Sequence, residues 1–349
     1  MSNMSKQIHV GNVAVGGGAL VSVQSMTNSK TSDVKATVDQ IQKLANAGCD
    51  IVRVGIVDTE SATAISKIKD EINVPLVGDI HFDYKLALLS IEHGIDGLRI
   101  NPGNVGARWK IKEIAKLALS NKIPIRVGVN SGSIEKELLK KYNGPTVEAM
   151  VESALRNVRI LEEFNFDLIK ISVKSSSVSN TVKAYRELAT KSDYPLHLGV
   201  TEAGPKSSGT IKSAIAIGAL LLDGIGDTIR VSLTADPIEE PKVALDILRY
   251  IGYRASGAEL ISCPTCARSE SDVIGIVNEL EDEIKDIQDK VTIAVMGCEV
   301  NGPGEAKEAD IGIAGTKNGA VIFKNGTIIR HVEKDKIKSA ILDEVRNLK

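Results

Sequence analysis

Short runs of apolar, often β-branched residues recur at regular intervals from about residue 21 to about residue 250. Each run ends in polar residues and precedes a segment such as VKATVDQIQKLANAG, whose apolar spacing and final glycine are typical of an amphipathic helix. The predicted strands are VSVQSMT (21–27), IVRVGIV (51–57), PLVGDIHF (75–82), GLRINPGN (97–104), PIRVGVNSGS (124–133), LIKISVKS (168–175), PLHLGVTEAG (195–204) and TIRVSLT (228–234). Eight successive β–α units predict a (β/α)8 TIM barrel. No GxGxxG follows the first strand, which disfavours a doubly wound sheet.

The pattern changes before and after this region. The early segment HVGNVAVGGG predicts a small hairpin, which we expect to close the floor of the barrel. Beyond residue 254 the pattern predicts a strand, a charged helix, the strands VTIAVMGC and DIGIAGT, the hairpin AVIFKNGTIIR and a terminal helix. Asn325–Gly326 is a strong hairpin turn signal. We therefore predict an α/β protein with a barrel domain at 1–254 and a small α/β domain at 255–349.

Composition narrows the classes of partner. The chain has 349 residues, a net charge of −2 and only 3% aromatic residues, which disfavours nucleic acid and membrane as partners. Its first residues, MSNMSKQIHV, contain no apolar core of signal-peptide length. The longest apolar run, AIAIGALLL, is too short to span a bilayer, which needs about 20 residues. These features predict a cytoplasmic protein.

Polar residues occupy one face of the predicted barrel strands. Alternate strand residues share a face, and the apolar face must meet the helices, so the polar face points inward. The inward residues are Arg53, Asp79, His81, Arg99, Arg126, Asn130, Lys170, Ser172, Lys174, Arg230 and Ser232. Each cation alone could pair with a carboxylate, but so many buried together would be costly without an anion. The pattern therefore predicts a ligand with phosphate oxygens at the strand ends.

Two further titratable residues at the strand ends have open interpretations. Glu202 follows the seventh strand in GVTEAG, where it is either an ion-pair partner at the rim or a proton donor to a leaving oxygen. His81, in DIHF, is either a structural hydrogen-bonding histidine or a catalytic one.

Cysteines point to a metal centre in the second domain. Cys49 is expected to be a small core residue, whereas Cys263, Cys266 and Cys298 have the spacing of zinc or iron–sulfur ligands. His331 would complete a Cys3His zinc site. Glu305 stands seven residues after Cys298, beyond the turn NGPG, and would be a weaker, displaceable oxygen ligand. Alternatively, Glu305 only stabilises the start of the short helix EAKEAD.

Five segments, SCPTCARSE, MGCEVNGPGEA, HFDYKLAL, RINPGN and HLGVTEAG, resemble the 4-hydroxy-3-methylbut-2-enyl diphosphate synthase family, and the similarity runs along nearly the whole chain. The resemblance implies the bacterial two-domain type, whose second domain is similar to ferredoxin or sulfite reductase. It implies a [4Fe–4S] cluster held by Cys263, Cys266, Cys298 and Glu305. It also implies an oxidoreductase of the methylerythritol phosphate route to isoprenoids.

The resemblance further implies the reaction and its partners. The substrate would be 2-C-methyl-D-erythritol 2,4-cyclodiphosphate, opened and dehydroxylated with two electrons from flavodoxin or ferredoxin. The product would be 4-hydroxy-3-methylbut-2-en-1-yl diphosphate. The inward cations would hold the diphosphate, Glu202 would protonate the departing hydroxyl, and substrate would displace Glu305 from iron. A head-to-tail homodimer would bring each cluster over its partner's barrel.

Two alternatives depart from this interpretation. One is a pterin-binding TIM-barrel synthase of the dihydropteroate type with a structural metal site, for which zinc would be the distinguishing metal. The other is an iron–sulfur sensor or scaffold whose barrel has no activity. The crowded cationic interior disfavours a scaffold, because uncompensated buried charge is costly.

Overall fold

The structure is a computed structural model that describes residues 4–254, 257–284, 287, 289–300 and 302–347, except for the side chain of Pro303. The chain forms two compact units, Met1–Tyr253 and Arg254–Lys349. The domain boundary expected from the sequence, between residues 254 and 255, therefore lies beside the division between these units, although residues 255 and 256 themselves are outside the described ranges. Among the described residues, no helix combines the length and hydropathy of a membrane span.

A closed parallel sheet forms the centre of the first unit. Its strands and the hairpin before them are β1 (Ile8–Val10), β2 (Val13–Val15), β3 (Ser22–Met26), β4 (Ile51–Gly55), β5 (Leu76–Asp79), β6 (Gly97–Ile100), β7 (Ile125–Asn130), β8 (Ile169–Lys174), β9 (His197–Leu198) and β10 (Thr228–Ile229). The sheet order is β8-β7-β6-β5-β4-β3-β10-β9. A parallel bridge between Ile171 and Leu196 joins its two edges. The predicted (β/α)8 barrel is confirmed.

Helices surround the barrel on its apolar outer side. They are α1 (Val34–Asn46), α2 (Thr59–Glu71), α3 (Tyr84–Glu92), α4 (Pro102–Val105), α5 (Arg108–Ser120), α6 (Lys136–Lys141), α7 (Val147–Glu162), α8 (Val178–Ala189), α9 (Lys206–Leu222) and α10 (Glu239–Tyr250). In α1, for example, the Asp33 side chain caps the N-terminus by accepting a hydrogen bond from the Ala36 amide, and Ile41 and Leu44 are buried against the sheet. Burial of such apolar faces stabilises the barrel.

Two predicted strands end earlier than the sequence pattern indicated. The segment 97–104 was predicted as one strand, but β6 ends at Ile100. The Asn101 side chain then accepts a hydrogen bond from the Gly103 amide, and Pro102 opens the short helix α4. Similarly, β7 ends at Asn130, and a 3₁₀ turn covers Ser131–Ser133 within the predicted strand 124–133.

The seventh and eighth strands are much shorter than the predicted segments 195–204 and 228–234. Only His197–Leu198 and Thr228–Ile229 are strand. Gly199 adopts a φ of +154°, and a Cβ there would lie 2.4 Å from the carbonyl oxygen of Arg230. The segments that follow β9 and β10 therefore approach each other closely at this point, and their strand pairing ends there.

The N-terminal hairpin closes the barrel floor, as predicted. β1 and β2 pair antiparallel. Ile8, Val10 and Val15 pack against the inward side chains Ile51 and Val77 at the lower ends of β4 and β5. This apolar plug separates the barrel interior from solvent below it.

The second unit is a mixed five-stranded sheet between two helical layers. Its elements are β11 (Ala258–Ser262), α11 (Val273–Glu283), β12 (Val291–Met296), α12 (Gly302–Glu308), β13 (Ile311–Thr316), β14 (Gly319–Lys324), β15 (Thr327–Val332) and α13 (Ile337–Arg346). Strands β11 to β13 are parallel, and β13 to β15 are antiparallel. Helices α11 and α13 pack on one face of the sheet and α12 on the other. Asn325 and Gly326 connect β14 to β15, which confirms the predicted hairpin.

Helix α12 lies unusually close to the sheet. A Cβ on Gly312 of β13 would lie 2.2 Å from the carbonyl oxygen of Ala306, so a larger residue does not fit there. The helix also begins earlier than predicted, because Gly302 and Gly304 belong to it and not to a preceding turn. Asn301, the first residue of the expected turn, lies outside the described residues.

Candidate functional site

A polar cavity of about 130 Å³ opens at the carboxyl ends of the barrel strands. It is lined by Arg53, Asp79, His81, Arg99, Arg126, Asn130, Ser172, Lys174, Thr201, Arg230 and Ser232. All of the inward polar residues predicted from the sequence line it, except Lys170. Thr201 also lines the cavity, although it is not among the residues predicted from the sequence. It lies within the predicted seventh strand, but the observed strand ends at Leu198.

Strand register explains how these side chains come together. Arg99, Arg126 and Lys170 are neighbours across β6, β7 and β8, and Asn130 is the neighbour of Lys174 four residues further along β7 and β8. Gly128, which lies between Arg126 and Asn130, leaves space for a long side chain. A Cβ at Gly128 would lie 2.6 Å from Nε of Arg99. The arginine therefore lies across β7 toward the centre of the barrel.

Asp79 is the carboxylate at the centre of the cavity. Its Oδ1 accepts a hydrogen bond from Nη1 of Arg99 at 3.0 Å, and its Oδ2 lies 3.6 Å from Nε of Arg53. Burial alone would raise the pKa of Asp79, but Arg53, Arg99 and Arg126 outweigh it and lower the pKa to about 2. Asp79 is therefore ionised and holds two arginines in place.

A second carboxylate, Glu240, was missed by sequence reasoning. It lies in the first turn of α10, is 4% exposed, and its Oε1 is 3.3 Å from Nη2 of Arg230. It also accepts hydrogen bonds from Ser25 Oγ at 2.8 Å and the Leu233 amide at 3.1 Å. Its sequence context, EEP, is that of an ordinary acidic helix start, so only the buried position reveals its role. Asp79 and Glu240 therefore both supply negative charge to the cavity arginines.

Several cationic donors in the cavity still have no acceptor in the described part of the chain. They include Nε and Nη2 of Arg126 and Nε of Arg99 and Arg230. Arg126 uses only Nη1, which donates to Ser172 Oγ at 3.1 Å. Burial, and then the surrounding arginines, lower the pKa of Lys174 well below its ordinary value. Such donors cost free energy when they are left unsatisfied, and an anion with several oxygens would satisfy them.

His81 and Glu202 occupy different positions at the rim. Nε2 of His81 accepts a hydrogen bond from Nη1 of Arg99 at 2.6 Å, so this nitrogen is unprotonated. Burial lowers the pKa of His81, which favours the same neutral form. Glu202 is exposed, has a φ of +52° and directly follows the cavity residue Thr201. Among the described residues it forms no ion pair, so the rim ion-pair interpretation has no support.

Lys170 faces inward but lies lower than the cavity. It borders a smaller void near the floor together with Gln24, Val77 and Arg126. Its Nζ lies 3.4 Å from Thr228 Oγ1. Alternation along the strand therefore gave the correct face of the barrel for Lys170 but not its depth.

In the second unit, two cysteines stand at the ends of neighbouring parallel strands. Cys263 follows β11 and Cys298 follows β12. The Cys263 amide donates to the carbonyl oxygen of Val295 at 3.2 Å, and the Gly297 amide donates to Cys263 Sγ at 3.2 Å. Parallel pairing thus places both cysteines at the carboxyl ends of β11 and β12, although about thirty residues separate the two strands.

Cys266 is exposed on the loop after β11. The loop folds back onto the end of β12, because the Glu270 amide donates to the Gly297 carbonyl at 2.6 Å. A Cβ at Gly297 would lie 2.3 Å from Ser269 Oγ, so the glycine permits this close approach. The loop therefore presents Cys266 at the sheet edge that carries the other two thiols.

Glu305 and His331 are the two candidates for a fourth ligand. Glu305 is exposed in the first turn of α12, whose Gly302 amide donates to the Cys298 carbonyl at 3.2 Å. His331 lies on β15, three strand spacings or about 14 Å from β12. This separation is too large for His331 and Cys298 to bind one zinc ion at about 2 Å. No cluster with metal-site geometry occurs among the described residues.

Cys49 has no part in this arrangement. It is buried in the barrel wall, and its Sγ accepts a hydrogen bond from the Ser25 amide at 3.1 Å. Burial raises the pKa of its thiol to about 12. The prediction of a small core residue is confirmed.

These features define a class of protein: a TIM-barrel protein with a cationic cavity at the carboxyl ends of its strands and a separate α/β unit with three cysteines beyond the ends of two parallel strands. The GcpE TIM-barrel domain model matches residues 5–245, and the GcpE protein C-terminal domain model matches residues 259–347. The chain belongs to the GcpE family.

Curated relatives match the chain over its full length. The relative from Geobacter sulfurreducens is 55% identical, with 100% of this chain and 99% of the relative covered. That from Clostridium perfringens is 54% identical, with 99% of each chain covered. Both are named 4-hydroxy-3-methylbut-2-en-1-yl diphosphate synthase (flavodoxin). The family resemblance inferred from the sequence is confirmed.

Solved structures share the barrel fold with much lower sequence identity. A dihydropteroate synthase from Yersinia pestis has a TM-score of 0.51 at 11% identity, covering 70% of this chain and 97% of that chain. An N-acetylneuraminic acid synthetase from Leptospira borgpetersenii has a TM-score of 0.52 at 13% identity, covering 72% and 91%. At these identities the likeness shows the fold alone. It does not favour the pterin-binding alternative over the full-length relatives.

Proposed function

We propose that this chain is an oxidoreductase that converts 2-C-methyl-D-erythritol 2,4-cyclodiphosphate into 4-hydroxy-3-methylbut-2-en-1-yl diphosphate, an isoprenoid precursor. The observation that carries the proposal is the cationic cavity, whose buried arginine donors have no acceptor among the described residues. The names of the full-length relatives supply the identity of the product. A cytoplasmic location is part of the proposal, since flavodoxin is the proposed electron donor.

The cavity residues bind and orient the diphosphate. Arg126 and Arg230 present free guanidinium donors, and Lys174 adds a point charge from β8. Asn130 and Ser232 supply neutral polar groups at the rim. Opening the ring leaves new negative charge on one phosphate, and fixed cations stabilise that charge without reorganising. Arg53 and Arg99, fixed by Asp79, complete the binding surface.

Protons and electrons must balance in this reaction. The ring C–O bond and the bond to the C3 hydroxyl break, two electrons and one proton are consumed, and one water and the linear diphosphate, which carries one more negative charge, are released. Glu202 is the proposed proton donor to the departing hydroxyl, because it stands beside Thr201 at the cavity rim. His81, held neutral by Arg99, contributes a hydrogen-bonding nitrogen at the same rim.

The donor set of the second unit fits an iron–sulfur cluster. Cys263 and Cys298 end adjacent strands, Cys266 is exposed on the connecting loop, and Glu305 begins the helix after Cys298. Three thiolates with one weaker oxygen donor suit a [4Fe–4S] cluster with one exchangeable iron position. When bound there, the cluster would pass electrons singly from flavodoxin to the substrate. The Gly297 amide, which donates to Cys263 Sγ, would also stabilise a thiolate.

Anaerobic purification followed by metal analysis and turnover tests this function. We expect about four irons and four sulfides per chain. We also expect an EPR signal of the dithionite-reduced protein that changes when the cyclodiphosphate is added, and formation of the linear diphosphate with reduced flavodoxin. Stoichiometric zinc without iron, even after anaerobic reconstitution, would contradict the proposal and indicate a structural metal site.

We further propose that the chain works as a head-to-tail homodimer in which the cysteine unit of one chain serves the barrel of its partner. The two units carry complementary halves of the chemistry and fold as separate compact bodies. The outer face of α9 also exposes Ile211, Ile215 and Leu222, at helical spacing, and two copies could bury this stripe against each other.

Complementation between two inactive variants tests the shared site. We expect Cys298→Ser and Arg126→Met each to be inactive as homodimers. Co-expressed with different affinity tags, they should give heterodimers with up to about half of the wild-type activity, because one of two sites is intact. Purified heterodimers without activity would contradict the shared site, while two wild-type chains carrying the same tags serve as the control.

A further inference from the structure

A second polar layer lies beneath the cavity, inside the barrel. We call Gln24, Arg126, Lys170, His197 and Thr228 the lower layer. Neither side-chain atom of the Gln24 amide and neither ring nitrogen of His197 has a hydrogen-bond partner in the described part of the chain. Lys170 and His197 are 3% and 0% exposed. The proposed function gives these buried groups no direct contact with substrate, so their polarity needs another explanation.

The groups that face Lys170 are mostly cationic. Arg126 approaches from β7 and Arg53 from β4, whereas Asp227, before β10, is the opposing acid. Asp227 is itself engaged by Ser5 Oγ and the Leu196 amide. The remaining neighbours, Gln24 on β3 and Val10 of the floor hairpin, are neutral.

Burial and the neighbouring cations therefore disfavour the charged forms of Lys170 and His197. Burial, and then Arg126, lower the pKa of Lys170 to about 7. Burial and the same cations lower the pKa of His197 well below its usual value, so His197 is neutral. A dianion bound above would offset the charges of Arg53 and Arg126, and the protonated form of Lys170 would then become favourable.

We propose that Lys170 is a positioning residue that takes up a proton when the anionic substrate binds in the cavity above it. This inference rests on the proposed function for the identity of the anion. The added charge, placed behind Arg126, helps to hold the guanidinium toward the substrate. His197 and Gln24 stay neutral, and the Gln24 side-chain oxygen and the unprotonated ring nitrogen of His197 are the acceptors available in this layer for the new ammonium group.

The number of protons taken up on binding can be assigned to the protein, because the substrate does not titrate in this pH range. In a cyclic diphosphate each phosphorus carries a single, strongly acidic hydroxyl, so the ligand does not titrate near neutrality. A proton taken up on binding therefore belongs to the protein. Because the pKa of Lys170 rises on binding, affinity falls as pH increases between the free and bound pKa values. The limiting slope is about tenfold in affinity per pH unit for one proton.

Calorimetric titration of the oxidised full-length protein with the cyclodiphosphate tests the proposal without turnover. Heats measured at pH 7.5 in buffers of different ionisation enthalpy give the number of protons taken up. We expect uptake of up to about three quarters of a proton per chain for the wild type, because a group with a pKa of about 7 is already about one quarter protonated at pH 7.5. Lys170→Met should take up correspondingly less. Lys170→Arg keeps a permanent charge and should bind with little proton uptake. Thr228→Val removes the polar contacts of Thr228 Oγ1 with Lys170 Nζ and Ser22 Oγ but leaves the titrating amine, and should retain the uptake.

The outcomes are distinct. Equal uptake in wild type, Lys170→Met and Lys170→Arg would assign the proton to another group and overturn the inference. Uptake absent from the wild type would overturn it as well. Lack of any binding by the folded, cluster-containing wild type would instead contradict the proposed function. Should Lys170→Met not fold, the arginine variant alone decides, because it tests the titration while the charge is preserved.

Discussion

Replacement of Cys298 by serine is expected to remove the iron from the second unit and reduce turnover of the cyclodiphosphate to the level of the blank reaction. Cys298 follows β12 as Cys263 follows the neighbouring strand β11, and a serine hydroxyl is a much weaker ligand for iron than a thiolate. Loss of one of three thiolates leaves two cysteines and Glu305, which is too few soft ligands for a stable cluster. Iron and sulfide analysis after anaerobic reconstitution, with turnover by reduced flavodoxin, measures both effects.

Cys49 provides the matched control in the same chain. Its thiol is buried in the barrel wall, where its Sγ accepts a hydrogen bond from the Ser25 amide. Cys49→Ala should lower the thermal midpoint through lost packing but keep the full iron content and the reduced-state EPR spectrum. A Cys298→Ser protein that retained about four irons and wild-type turnover would show that Cys298 is not a ligand.

The barrel could be predicted from the sequence because its signals are local. Alternation along strands such as Ile169–Lys174 assigns one face to the helices and the other to the interior, and this assignment depends on a two-residue period alone. The cavity lining follows from it, except where the backbone leaves the strand. At Gly199 the close approach of the Arg230 carbonyl ends the ladder, which no side-chain pattern reveals. Thr201 therefore lines the cavity although the sequence pattern did not predict it.

Depth and long-range pairing could not be predicted in the same way. Lys170 and Lys174 share a face, but the stagger of the barrel strands places only Lys174 at the mouth. Glu240 lies ten residues after Arg230, in the first turn of helix α10, so its pairing with Arg230 depends on the tertiary fold. The exclusion of His331 as a ligand partner of Cys298 needed the sheet order of the second unit.

Asp79 should be the residue whose charge matters most to the stability of the barrel. Its side chain is 8% exposed, contacts Arg99 at 3.0 Å and lies 3.6 Å from Arg53. Asp79→Asn keeps the shape but leaves both guanidinium groups buried without their counter-charge. Removal of one partner from a buried ion pair typically costs about 3–5 kcal/mol. We expect a loss of this order in the free energy of unfolding at pH 7, measured by denaturant titration of the full-length protein.

The pH dependence of the free energy of unfolding distinguishes the effect of the charge of Asp79 from the effect of its shape. Its pKa of about 2 lies below the ordinary value of 3.8, so ionised Asp79 stabilises the folded state above pH 3.8. That contribution, about 2 kcal/mol, is lost as the pH falls from 3.8 toward 2. The difference in stability between wild type and Asp79→Asn should therefore narrow over this range.

A surface carboxylate supplies the control for this prediction. Asp223 pairs with Nε of Arg186 at 2.8 Å at the end of α9, and its side chain is 39% exposed. Asp223→Asn should cost no more than about 1 kcal/mol, because exposed ion pairs are screened by solvent. Equal losses in the two variants, or a pH-independent difference for Asp79→Asn, would contradict the role of Asp79 as the central counter-charge. A large, pH-dependent loss confined to Asp79→Asn would show that the cavity arginines depend on this carboxylate when no anion is bound.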